Sequence, residues 1–117
     1  MDETEVTTET TPVPETEEQL LEAVLNDLDI TYNDENIKKR IKGIMERGKA
    51  YLDDKYGSGI NFETDKQARE LLFSYCRYGR SNAIEQFEHD FLSMIINLAI
   101  RGAKGTYQTG VTDEVTI

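Results

Sequence analysis

A chain of 117 residues has room for one domain with a core of modest size. Apolar residues make up 38% and charged ones 31%, and no run approaches the ~20 apolar residues that a membrane span needs. The single cysteine, Cys76, excludes an internal disulfide and a cysteine-built metal cluster, and the net charge of −10 is unevenly spread.

Residues 1–35 hold twelve of the 23 acidic residues and none of the 13 basic ones. The remainder, with eleven acidic and thirteen basic residues, carries +2. Residues 1–15 are dominated by Thr, Glu and Pro, with Val6 and Val13 as their sizeable apolar side chains besides Met1. Such a stretch buries too little surface to offset its ordering entropy, so it reads as a disordered acidic arm. It has neither the basic nor the apolar region of a signal peptide, and synthesis and retention in a cytosol are expected.

The helical domain is expected over 16–101. Helix one is predicted from Glu17 to Leu28, capped by Thr16, with Leu21, Val24, Leu25 and Leu28 on one stripe. Helix two is predicted to start after Asn33 or Asp34 and to run to about Lys55. Ile37, Ile41, Ile44, Met45 and Leu52 form its apolar stripe. Gly48 on that face implies either close approach of another helix or a bend. Lys38, Lys39, Lys42 and Lys49 point away from the stripe, which suits a solvated face, a subunit contact or phosphate binding. Tyr56-Gly57-Ser58-Gly59 ends the helix by glycine chemistry, and Ile60 and Phe62 should staple the following link to the body.

Helix three is predicted from a cap at Thr64 or Asp65 to about Gly79. Ala68, Leu71, Leu72, Tyr75 and Cys76 face inward, widened by Phe73 and Tyr78. Helix four should follow in one piece from Ser81 or Asn82 to Arg101, where Asn82 and Glu85 have capping-box spacing. One stripe holds Ile84, Phe87, Phe91, Met94, Ile95 and Leu98, and a second holds Leu92, Ile96 and Ala99. Gly102 is expected to stop the helix. Residues 102–117 then read as a flexible arm whose end, VTDEVTI, could donate a strand to an edge.

The expected architecture is all-α: a small bundle of about four helices with flexible N- and C-terminal arms. No catalytic, metal or cofactor site emerges. His89 has no second histidine for a metal, the serines have no base beyond that histidine, and Asp53-Asp54 lack a partner that would split their pKa values. The chain is therefore expected not to be an enzyme. Two wide apolar sides on helices three and four exceed what so small a monomer can cover, which predicts a subunit whose remaining faces meet copies or partners.

The stretch LLFSYCRYGRSNAIEQFEHDFLSMIINLAI, Leu71 to Ile100, resembles the small head–tail connector proteins of long-tailed phages and prophages of Gram-positive bacteria, also called adaptor, head-completion or DNA-packaging proteins. Tyr75, Cys76, Arg77 and Tyr78, then Arg80, then Phe87 and Phe91 carry the likeness. ITYNDENIKKRIKGIMERGKAYLDDKYG, Ile30 to Gly57, is similar to the family's early helix and loop. The likeness covers about residues 16 to 105. The acidic arm before Thr16 lies outside it.

The resemblance implies a non-enzymatic virion protein, made in the host bacterial cytoplasm, that forms a ring of about twelve copies between portal and tail. Its partners would be itself, the portal protein and a stopper or tail-completion protein, with genomic DNA passing through without sequence recognition and no membrane involved. DNA sliding through such a channel predicts that Asp and Glu outnumber Lys and Arg on its lining. Subunit or partner contacts are expected from Tyr75, Arg77, Tyr78, Arg80, Phe87 and Phe91, and from Tyr107, Val111, Val115 and Ile117 in the C-terminal arm. The alternative from another class is a small helical DNA-binding or regulatory protein that uses the basic face of helix two.

Overall fold

The computed structural model describes residues 15–31 and 33–110, with side chains through Lys104. The described residues are all-helical and contain no strand. Among the described residues five helices form: α1 (Glu17–Asp27), α2 (Glu35–Tyr56), α3 (Lys66–Arg80), α4 (Ile84–Asp90) and α5 (Leu92–Gly110).

Local chemistry sets the starts of the first three. The Thr16 hydroxyl accepts from Gln19 N at 3.1 Å, and the Gln19 side chain accepts from Thr16 N at 3.0 Å. This closes a capping box on two backbone donors that α1 cannot satisfy itself. The Asp34 carboxylate accepts from Asn36 N and Ile37 N, and the Asp65 carboxylate accepts from Ala68 N. Each acid also sits at the positive end of its helix dipole.

Two helices end on left-handed polar residues. After α1, Asp29 (φ 62°) lets its own N–H reach Asn26 O at 3.1 Å while Ile30 N reaches Leu25 O at 2.9 Å. After α3, Asn82 (φ 58°) lets its own N–H reach Gly79 O at 3.0 Å while Ala83 N reaches Tyr78 O at 2.8 Å. Both are Schellman turns in which Asp or Asn takes the usual glycine position. Asn82 therefore terminates α3. The expected cap of the next helix by Ser81 or Asn82 does not form: Ala83 stands at the N-cap of α4 without a side-chain bond.

The single helix expected from Ser81 to Arg101 is two, α4 and α5. Phe91 (φ −111°, ψ 19°) bends the chain between them. The hydrogen-bond ladder still passes through it, with Phe91 N donating to Phe87 O and Ile95 N donating to Phe91 O, each at 2.9 Å. The expected stop at Gly102 is also corrected, because α5 runs on to Gly110. A Cβ on Gly102 would lie 1.8 Å from Tyr56 O, so this glycine serves a helix crossing rather than a helix end. Residues 102–110, expected to be part of a flexible arm, are thus helical, while 111–117 lie outside the described residues.

The core lies between α2 and α3, closed by α1 on one side and by α4 and α5 on the other. Ile41, Ile44, Met45 and Leu52 of α2 meet Leu71, Leu72, Tyr75 and Cys76 of α3, all buried. Gly48 has no room for a Cβ, which would stand 2.7 Å from the Tyr75 ring and 3.0 Å from Leu72. Gly79 stands in the same relation to Ile44, at 2.7 Å. One glycine from each helix brings the two backbones together, so close approach, not a bend, explains Gly48. Phe62 is buried and Ile60 packs against the core, as the staple reading expects.

Candidate interaction surface

From Phe91 to Ile100 the sequence carries no charged side chain. On a helix these ten residues make two apolar rows, and the fold uses one of them. Ile95 and Leu98 face inward, at 6% and 0% exposure. Leu92, Ile96 and Ile100, spaced four residues apart, point outward at 55%, 48% and 47% exposure. They are the exposed large apolar side chains among the described residues. Scattered surface leucines are ordinary, but three in one row with nothing charged between them form a patch.

The frame beneath the row is fixed. The Arg101 guanidinium spans both Asp65 carboxylate oxygens, at 3.1 and 3.2 Å, and donates to the Gln67 side chain at 3.1 Å. It also lies over the Tyr56 ring. These contacts tie α5 to the start of α3 and the end of α2. At the near end, Phe87 is fully buried at the centre of an aromatic cluster with Tyr51, Tyr75, Tyr78 and Phe91. Tyr51 is pushed up to about 12, chiefly by burial and then by the Glu88 carboxylate beside it.

The residues expected at subunit contacts mostly hold the subunit itself together. Tyr75 and Phe87 belong to the core and leave almost no surface for a second chain. Phe91 stacks on Phe87 with 5.2 Å between centroids. The Tyr78 hydroxyl donates to Asp90 Oδ2 at 2.8 Å, so Tyr78 joins α3 to α4. Arg77 binds Asp27 and Ser74, joining α3 to α1. Arg80 donates to Leu28 O at 3.0 Å, while its own carbonyl accepts from Arg40. Tyr107 lies within α5 by its backbone, and its side chain is outside the described residues, as are Val111, Val115 and Ile117.

The surplus apolar surface expected on both sides of helix three is not there. Phe73 and Tyr78 are half-buried, and Arg69 covers the Phe73 ring. Among the described residues the surplus sits on α5 alone. Leu92 and Ile96 are legible in the sequence as a second stripe, but Ile100 is not grouped with them. The signal that finds all three is the charge-free run.

The basic face of α2 is mixed. Lys38, Lys39 and Lys42 border a shallow cleft of about 380 Å³ together with Glu18, Leu21, Glu35 and Asn36. Lys49 is paired with Glu17. Two carboxylates therefore face three lysines, which reduces the field that a phosphate would meet.

Other chemistry-bearing residues are accounted for locally. Cys76 is fully buried, and burial, with Asp27 nearby, pushes its thiol up to about 12. His89 is exposed beside Asp90. Among the described residues no group of three His, Cys, Asp or Glu is placed to hold a metal, and no helix is long and apolar enough to cross a membrane. The chain matches no protein-family model, no curated protein and no solved structure.

Proposed function

We propose that this protein is a non-catalytic assembly subunit, a head–tail connector that builds a ring between portal and tail and continues the DNA channel. The observation that carries the assembly reading is the exposed row Leu92, Ile96 and Ile100 on a chain whose other large apolar groups are covered among the described residues. At ~25 cal/mol per Å² of apolar area, leaving such a row in water is unfavourable, and association removes that cost. The connector reading draws its support from the resemblance of Leu71–Ile100, whose aromatic cluster forms the seam between α3 and α4.

The lysines of α2 favour a second reading, a DNA-binding helical protein. Glu18 and Glu35 in the same cleft weigh against it. So does α4, which follows the α3 turn where a recognition helix would stand. It has seven residues, and its central Phe87 is buried.

The test is mass measurement and negative-stain imaging of the purified protein, alone and with portal rings. Large rings, or rings formed on adding portal, are expected. A compact species that ignores portal but binds duplex DNA with a steep salt dependence would favour the second reading and overturn the first.

A further inference from the structure

One charged patch of the fold matches one charged segment of the chain. Among the described residues Lys49 of α2 is paired with Glu17, whereas Lys38, Lys39 and Lys42 pair with no carboxylate. These three border the cleft of about 380 Å³ beside α1. Lys39 and Lys42 are exposed, and Lys38 is half-buried. The two carboxylates of the cleft, Glu18 and Glu35, stand in the first turns of α1 and α2, where the helix dipoles already favour them. A positive excess remains. Residues 1–14, outside the described residues, hold Asp2, Glu3, Glu5 and Glu9 and no basic side chain.

We infer that residues 1–14 lie across the lysine cleft of their own chain and shield it from outside polyanions. The first support is where the segment joins the fold. The Glu15 carboxylate accepts two bonds from the Arg69 guanidinium, at 2.8 and 3.0 Å, and its N–H donates to Glu63 Oε1 at 3.1 Å. Two residues on, Glu17 is paired with Lys49, so the segment leaves the fold level with Lys49. From there Lys42 and Lys38 lie about 10 and about 16 Å along α2, at ~1.5 Å per residue. A polar chain of fourteen residues spans ~20 Å as a coil and up to ~46 Å extended. A tether whose length matches its span gives an effective concentration in the mM range, which a second copy at ordinary concentrations does not reach.

The second support is spacing. Lys38 and Lys42 are one helical turn apart, ~6 Å along the axis. Glu3 and Glu5, two residues apart, cover ~6.6 Å on an extended chain and can meet them in register. The third is the surroundings of the other lysines near the exit. Lys66 is one turn from Arg69 and so close to Glu15, but has Glu63, Asp65 and Glu70 within four residues. Lys55 follows Asp53 and Asp54 and lies over the Tyr51 ring. The cleft is the basic surface that an acidic segment leaving at Glu15 meets with least repulsion. Exposed ion pairs are individually weak and screened by salt, so the cover is reversible. The inference goes beyond the assembly reading and stands apart from it, since it involves neither α5 nor the portal.

The test is zero-length carbodiimide coupling of the full chain at low salt, which joins carboxylates to the lysines they touch. Asp2, Glu3, Glu5 and Glu9 should link to Lys38, Lys39 or Lys42 within the monomer, ~3–10-fold more often than to Lys66, and the links should fade at about 0.5 M salt. As a second measurement, the combined variant Asp2→Asn, Glu3→Gln, Glu5→Gln and Glu9→Gln should elute from immobilised heparin at higher salt than the wild type. That gain should disappear when Lys38, Lys39 and Lys42 are also changed to Gln. Links as frequent at Lys66 as in the cleft, links found only between two copies, or no links to the cleft would overturn the inference. So would unchanged heparin elution of the first variant, or a gain that persists without the three lysines. Rings that form on portal while these tests fail would leave the connector reading standing, and the cover can hold in a chain that forms no ring.

Discussion

Gly102 lies so close to Tyr56 that a Cβ built on it would fall 1.8 Å from the Tyr56 carbonyl oxygen. The contact seats α5 on the end of α2, and Arg101 on Asp65 holds it there. The obstacle at Gly102 is backbone, which cannot turn aside. Gly102→Ala should therefore destabilise the fold by about 2–3 kcal/mol, the upper part of the range for overpacking. At Gly48 the obstacles are the Tyr75 ring and a Leu72 methyl. These can shift, and alanine gains ~1 kcal/mol of helix propensity. Gly48→Ala should cost less, about 1 kcal/mol. Urea unfolding followed by circular dichroism checks both.

Phe87 should be the costliest single truncation. It is fully buried and touches four other aromatic rings. Phe87→Ala is expected to lose about 3–5 kcal/mol, a large part of the stability of so small a domain. Leu92→Ala, further along the chain but more than half exposed, should change monomer stability by less than ~0.5 kcal/mol. The contrast, read by the same urea titration, separates the residue that builds the subunit from the row that leaves it.

Acid should weaken the fold through Asp65. Burial pushes its carboxyl up, but hydrogen bonds from Arg101 and from the Ala68 and Gln67 N–H groups, with the Arg101 charge, outweigh this and hold it below 3.8. A depressed carboxyl binds fewer protons folded than unfolded. Its contribution is therefore complete above the unfolded value and is lost as pH falls through the folded one. Glu15 acts in the same direction, held down first by its hydrogen bond to Arg69 and also by the Arg69 charge, against the opposing effect of burial. Stability measured from about pH 6 to about pH 2 should fall, and Asp65→Asn, which keeps a capping side chain, should flatten that fall.

Cys76 should report on opening. Its thiol is fully buried and pushed up to about 12. A thiol reagent at about pH 8 should modify the native chain slowly, at a rate that rises with urea in step with unfolding. Rapid modification of the native protein would contradict its place in the core.

How much of the fold is legible in the sequence depends on how far apart the interacting groups lie. The caps act within three residues, so the sequence shows Thr16 and narrows the others to Asn33 or Asp34 and to Thr64 or Asp65, of which the fold uses Asp34 and Asp65. Asn82 misleads because Asn suits both an N-cap and a left-handed turn, and only the bonds to Tyr78 and Gly79 show which one forms. Gly102 looks like a stop because its reason, Tyr56, is far away in the chain. The helical period divides α5 into two apolar rows, yet Ile95 and Ile96 are the same residue type. Which row turns inward depends on where α2 and α3 lie. Tyr75 and Phe87 attract a contact reading for a related reason: large aromatics serve cores and interfaces equally well.

The most direct measurement is sedimentation of the wild-type chain and of Ile96→Lys over a range of concentrations. The wild type should sediment above its 13.4 kDa monomer mass as concentration rises or when portal rings are added. Ile96→Lys should stay at the monomer mass with unchanged helicity, because it places a charge in the middle of the exposed apolar row. A wild type that remains monomeric both alone and with portal rings, or a variant that associates as well as the wild type, would contradict the role assigned to Leu92, Ile96 and Ile100.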